Sequence, residues 1–274
     1  AHQFPAPSEN GNDISYWGGG GGSRGAICLS PSYIAIGSRS YDTAHTNSGA
    51  MYVYNVSDFS LRYKALPTPS QTYNYSTYNH GNMTDTHLIM GNSQNGTTSQ
   101  ADYVYVFNNS DGSLLHTISQ PSSHPKTSNQ KRFGNAVAIN NNNYFAISNP
   151  YYDTGAVHVY NTTTGALRYT ISDTNSYVDW GETISMSDNL IAISGYNNYG
   201  GNNLTIHNLS DGTMYQNIGN HTPTGGSFAN QVTPTTFARG MAMNRSGTAM
   251  AVSDRTQSNT LGTVTGSGVG FIYK

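Results

Sequence analysis

The chain has 274 residues, only 9% of them charged, with 12 basic and 14 acidic side chains and a net charge of −2. An average domain carries roughly 25% charge; here neither sign clusters, so the basic stripe that releases phosphate counterions is missing and a nucleic-acid binder is excluded, while no apolar run approaches the ~18 residues of a membrane span. Polarity comes instead from Asn, Ser, Thr, 30 Gly and 21 Tyr, side chains of turns and pleated strands, so the class is all-β.

The chain opens at Ala1, an end that either Met removal or signal cleavage would give. Gly18 to Gly22 is a pure glycine run followed by Ser23-Arg24; without the Gly-Lys-Ser/Thr of a phosphate loop it reads as a turn. A hairpin follows, Gly25-Ala26-Ile27-Cys28-Leu29 with Tyr33-Ile34-Ala35-Ile36-Gly37, then a second, Gly49-Ala50-Met51-Tyr52-Val53-Tyr54-Asn55 with Leu61-Arg62-Tyr63. Cys28 is the single cysteine, which leaves no intramolecular disulfide and no cysteine-based zinc site. Its apolar neighbours predict a buried, inert thiol.

The same two hairpins recur along the chain. The second copy is marked by Thr86-His87-Leu88-Ile89-Met90-Gly91, Tyr103 to Asn108 and Asp111 to Ile118, with a polar, poorly marked first strand expected near Tyr73 to Asn79. The third runs Phe133 to Ile139, Tyr144 to Ser148, Gly155 to Asn161 and Thr164 to Ile171. The fourth runs Trp180 to Met186, Leu190 to Ser194, Leu204 to Asn208 and Asp211 to Tyr215. A fifth supplies Gly240 to Met243, Ala249 to Ser253 and Gly270 to Lys274. Four short strands recurring at roughly 50 residues match a propeller blade.

Ile34-Ala35-Ile36 and Ile191-Ala192-Ile193 are continuous apolar runs, as inner strands covered on both faces require. Leu61-Arg62-Tyr63-Lys64 alternates, as expected of an outer, half-wet strand. The fifth unit has three strands, and Ala1-His2-Gln3-Phe4-Pro5-Ala6-Pro7 resembles the outer-strand exit His116 to Pro121. The expected architecture is one domain over residues 1–274: a five-bladed β-propeller of four-stranded blades, closed by the N-terminal strand joining the last blade.

Phe133-Gly134-x-Ala136-Val137-Ala138-Ile139, then Ala146-Ile147-Ser148-Asn149-Pro150, then Gly155-Ala156-Val157-His158-Val159-Tyr160 resembles an FG-GAP repeat, the blade motif of integrin-type propellers. Such blades often hold calcium in an Asp-x-Asp-x-Asp-Gly loop; this sequence has none, so no metal is carried over. The Tyr-Val-Tyr-Asn strands, Thr-Gly-Ala-Leu turns and charge-poor, Asn/Ser/Tyr-rich loops are similar to tail and other virion proteins of bacteriophages, notably marine ones. The resemblance implies a structural component of a virion, with secretion or the cell surface as the alternative location.

No nucleophile elbow and no zinc-binding His-Glu-x-x-His is present, no pair of carboxylates stands out for glycoside hydrolysis, and nothing reads as an enzyme or calls for a cofactor. A glycan-active enzyme is the weakest of the readings. His158 and His207 read as equivalent positions of repeated strands, and so as structural. What remains is surface. The loops after each second strand share Tyr with Asn and Ser, a composition of adaptable binding loops, and they nominate Tyr41, Tyr151, Tyr152, Tyr196 and Tyr199. The expected partners are other virion proteins, or glycans and proteins of a host surface, or those met by a secreted adhesion propeller.

Overall fold

The computed structural model describes residues 4, 27–38, 41, 48–68, 78–93, 102–122, 132–150, 155–172, 180–195, 203–218, 237–254 and 269–273. Every element among them is a strand. The first sheet orders β1 (Ile27–Leu29), β2 (Tyr33–Ser38), β3 (Ala50–Asn55) and β4 (Leu61–Ala65). The second orders β5 (Tyr78–Met83), β6 (His87–Ser93), β7 (Tyr103–Asn108) and β8 (Leu114–Ser119). The third orders β9 (Val137–Ile139), β10 (Tyr144–Asn149), β11 (Ala156–Asn161) and β12 (Leu167–Ser172). The fourth orders β13 (Thr183–Met186), β14 (Leu190–Gly195), β15 (Asn203–Asn208) and β16 (Met214–Asn217), and a three-stranded sheet orders β17 (Phe237–Met243), β18 (Met250–Asp254) and β19 (Val269–Tyr273).

The chain divides into two compact units, Ala1–Ile139 and Asn140–Lys274. In the first, one face of the first sheet (Ala35, Met51, Val53) packs with Leu88, Met90 and Tyr105 of the second into a buried cluster. Its other face gathers Ile36, Ala50 and Tyr52, with Phe4 packed alongside. In the second unit, Ala192, Leu204 and Ile206 pack with Met250 and Val252. The middle strands β2, β3, β10, β11 and β14 are buried on both faces, whereas β1 and β18 each keep one face exposed. The N-terminal strand expected to complete the fifth blade lies outside the described residues except at Phe4, whose ring meets Tyr54 edge-on at 5.1 Å.

The repeat extends to details of hydrogen bonding. The β3–β4 turn closes from Asn55 N to Ser60 O (3.0 Å), and its counterparts close from Asn108 N to Ser113 O, Asn161 N to Ala166 O and Asn208 N to Thr213 O (2.9 Å each). A register shift follows at the same place in all four sheets, between Val53 and Tyr54, Val106 and Phe107, Val159 and Tyr160, and Ile206 and His207. Asp58, Asp111 and Asp211 each accept from the amide and hydroxyl two residues on, which fixes the turn locally.

One expectation is extended and another corrected. The described part of the first strand of the second sheet runs Tyr78–Met83, meeting the expected Tyr73 to Asn79 at its end and carrying on past it. Its hydrophobic signal is weak because close approach, not apolar bulk, fills the place of Gly81: a β-carbon there would lie 2.5 Å from Met51 Cε. β4 does not alternate. Leu61 and Arg62 are exposed, Tyr63 and Lys64 half-buried and Ala65 buried, so burial deepens along the strand instead of switching from face to face.

Tyrosines of outer strands join neighbouring sheets within each unit. Tyr63 donates its hydroxyl to Asn109 Oδ1 at 2.5 Å, and Arg62 Nε donates to Asn109 O at 2.7 Å. In the second unit Tyr169 donates to Leu209 O at 2.6 Å. Each ring lies over a left-handed glycine of the adjoining turn, Gly112 (φ 75°) or Gly212 (φ 78°).

Candidate functional site

Of the five nominated tyrosines, Tyr41 is described and Tyr151, Tyr152, Tyr196 and Tyr199 lie outside the described residues. Tyr41 is 8% exposed. Its carbonyl accepts from Gly49 N at 2.9 Å, which fastens it to the start of β3. Its ring meets the buried Tyr52 edge-on at 6.1 Å. Lys64 of β4 completes the group: Nζ donates to the Tyr41 hydroxyl at 3.0 Å and stands 4.7 Å from the Tyr41 ring centre and 5.3 Å from that of Tyr52. An ammonium held between two aromatic faces gains cation–π attraction, so Tyr41 is held as a packing residue with a charged neighbour.

Sequence reasoning found Tyr41 but not its partner. The signal for Lys64 is its place in the repeat, since the corresponding residues of β8, β12 and β16 are Thr117, Thr170 and Asn217. A lone lysine among small polar residues marks a position that serves something in its own blade.

The histidines differ from the expected equivalence. Aligned on the terminal asparagines of β11 and β15, His158 corresponds to Thr205 and His207 to Tyr160, two residues apart on the same face. His158 is buried, with Nδ1 2.9 Å from Thr170 Oγ1. His207 Nδ1 is 3.1 Å from Gly212 O and must donate to that carbonyl, so neutral Nε2 accepts from Thr205 Oγ1 at 3.0 Å. Burial lowers the His207 pKa below its usual value, with the Gly212 carbonyl pulling the other way. These contacts to Thr170 and Thr205 lie within each histidine's own sheet, and the His207 ring also meets Trp180 edge-on at 6.1 Å.

Cys28 packs against the first unit's core, and burial pushes its thiol up to about 12, far from the thiolate a nucleophile needs. Among the described residues no group of three or more His, Cys, Asp or Glu is placed to hold a metal ion, and no helix is long and apolar enough to cross a membrane. Asp58, Asp111 and Asp211 are held below the usual carboxylate range by the hydroxyl and amide of their own turns.

The Phe-Gly and Trp-Gly dipeptides of the repeat have a packing role. Phe133 and Trp180 are buried, and Trp180 lies so close to Gly155 (φ 108°) that a β-carbon there would meet the Trp180 carbonyl oxygen at 2.1 Å. Trp180, which opens the fourth blade, thus seats on the glycine that precedes the third strand of the blade before it, while at Phe133-Gly134 the close approach is that of Gly134 O to Gly91 of β6.

This arrangement of four-stranded antiparallel sheets recurs in solved structures. Hydrazine synthase of Kuenenia stuttgartiensis matches with a TM-score of 0.55 at 11% identity, over 90% of this chain and 60% of that one. A complex of KlAtg21 with the coiled-coil of AgAtg16 matches with a TM-score of 0.55 at 12% identity, over 84% and 62%. The Dos1 propeller matches with a TM-score of 0.50 at 11% identity, over 84% and 52%. The fold is a five-bladed β-propeller. The chain spans less than two thirds of each of these propeller-containing chains. At such identities the likeness is one of fold, which hosts many unrelated activities. No protein-family model matches the chain, and no curated protein matches it in sequence.

Proposed function

We propose that this propeller is a non-catalytic structural component of a virus particle, working through contacts with other virion proteins or with glycans and proteins of a host surface. The observation that carries the reading is a repeated one. The outermost strand of four blades begins with a water-facing apolar residue, Leu61, Leu114, Leu167 and Met214, between 36% and 52% exposed. Apolar surface retained at one repeat position in four blades favours a contact surface. His158, His207 and the turn aspartates are engaged in holding their own strands and turns, which favours binding over catalysis.

The finer assignment rests on the sequence. Phe133-Gly134, Asn149-Pro150 and Gly155-Ala156 support an FG-GAP-like blade, and the charge-poor Tyr/Asn/Ser loops support the likeness to tail and other virion proteins of marine phages. Tyr151, Tyr152, Tyr196 and Tyr199 are the proposed recognition residues of those loops.

The test is a glycan and host-cell-surface panel probed with the purified chain and with a variant carrying Ala at Tyr151, Tyr152, Tyr196 and Tyr199, alongside mass spectrometry of purified particles. Presence in particles, with panel binding lost in the folded variant, supports a recognition component. Presence in particles without panel binding supports contacts within the assembly. Cell binding by a chain absent from particles would replace the reading with a secreted adhesion propeller.

A further inference from the structure

A cavity of about 430 Å³ opens between the fourth and fifth sheets, within the range of small-molecule sites. Its walls include Ile206, Gln216, Met243, Met250 and Tyr273. The repeat gives the reason for the opening. Gln216 pairs across the ladder with Ile206, as Tyr63 pairs with Val53 and Tyr169 with Val159. At the corresponding place between the first two sheets, the Tyr63 ring packs against the shared core, and at the next junction of the second unit Tyr169 reaches the adjoining turn.

The other linings are conservative replacements. Met243 stands where the first unit has Met83, Met250 where it has Leu88, and Tyr273 where it has Phe107. Leu190, also on the wall, takes the place held by Tyr33 and Tyr144. At this junction two aromatic rings have been replaced by an amide and a leucine while the apolar floor is kept.

We propose that this cavity binds a small aromatic molecule of the size of a para-substituted phenol, which takes the place that the Tyr63 ring holds between the first and second blades and the Tyr169 ring between the third and fourth. The floor of Met and Ile side chains offers polarizable contact to a ring face. The Gln216 amide, both donor and acceptor, stands at the wall where the tyrosine hydroxyl group's own strand would be. With Gln216 and Thr248 on its exposed rim and Ile206 and Met250 at its buried floor, the cavity is open enough to admit a small ring, whose apolar face displaces poorly held solvent.

The test uses p-cresol, the tyrosine side chain as a free molecule, titrated into the full chain labelled with ¹³C at the methionine methyl groups. Saturable shifts at Met243 and Met250, with Met51, Met83 and Met90 unmoved, are expected. Two variants restore the residues of the first and third blades, Gln216→Tyr and Leu190→Tyr, and each is expected to weaken p-cresol binding at least tenfold while keeping its β circular dichroism. Absence of saturation at millimolar p-cresol overturns the proposal. So do shifts confined to the first unit's methionines, or unchanged affinity in either folded variant; should one variant misfold, the other and the wild-type methyl shifts still decide.

Discussion

At Gly112 the backbone is left-handed, and a β-carbon would lie 2.6 Å from Cγ of Tyr63. Left-handed geometry alone costs an alanine about 1–2 kcal/mol, and the ring adds a steric penalty. Gly112→Ala is therefore expected to lower the urea midpoint by more than the backbone penalty, and the excess should vanish in a Tyr63→Leu background. A double-mutant cycle measures that coupling; independent effects of the two changes would show that the ring does not constrain the turn. Cys28 offers a second measurement. With its thiol raised to about 12 by burial, it should react slowly with a thiol reagent in the native chain and promptly in denaturant. Fast native labelling would contradict the packing described for it.

Between elements, the recurring device is a tyrosine of one outer strand tied to the turn of the next blade. Tyr63 reaches Asn109, a buried residue whose amide nitrogen donates to Thr84 O at 2.8 Å, so the receiving side chain is itself fixed. Tyr169 reaches a backbone carbonyl instead. Removing one partner of such a bond leaves the other desolvated, at about 1–3 kcal/mol. Tyr63→Phe and Tyr169→Phe should each destabilise by an amount in that range in urea unfolding, with strand content unchanged by circular dichroism. A loss well under that range would mean that water replaces the hydroxyl.

For the molecule as a whole, buried His207 and half-buried His87 contribute to the response to mild acid. Burial lowers the pKa of His207, and burial followed by neighbouring His116 lowers that of His87. Above the unfolded value of 6.5 both rings are neutral in either state, and their contribution is fully present. As pH falls from there towards the folded values, the unfolded chain takes up protons that the native chain refuses, and stability is lost. The turn aspartates, also depressed, begin to matter only below the ordinary carboxylate value of 3.8. The urea midpoint should therefore fall between pH ~7.5 and ~5, and His207→Phe, which restores the kind of ring held at Phe107 and Tyr160, should flatten that slope. A midpoint independent of pH over this window would show that neither histidine is buried neutral. The blade count, the strand order within each blade and the inner apolar runs were legible in the amino-acid sequence, because a repeat multiplies a weak strand signal fivefold and alternation or continuity of apolar residues is local. The run of β5 on to Met83 was not, because Gly81 answers to a methionine of another blade. Nor were the Tyr41–Lys64 contact or the cavity behind Gln216. Those depend on which side chain faces which across two sheets, and register and packing between distant segments are decided only when the chain has folded.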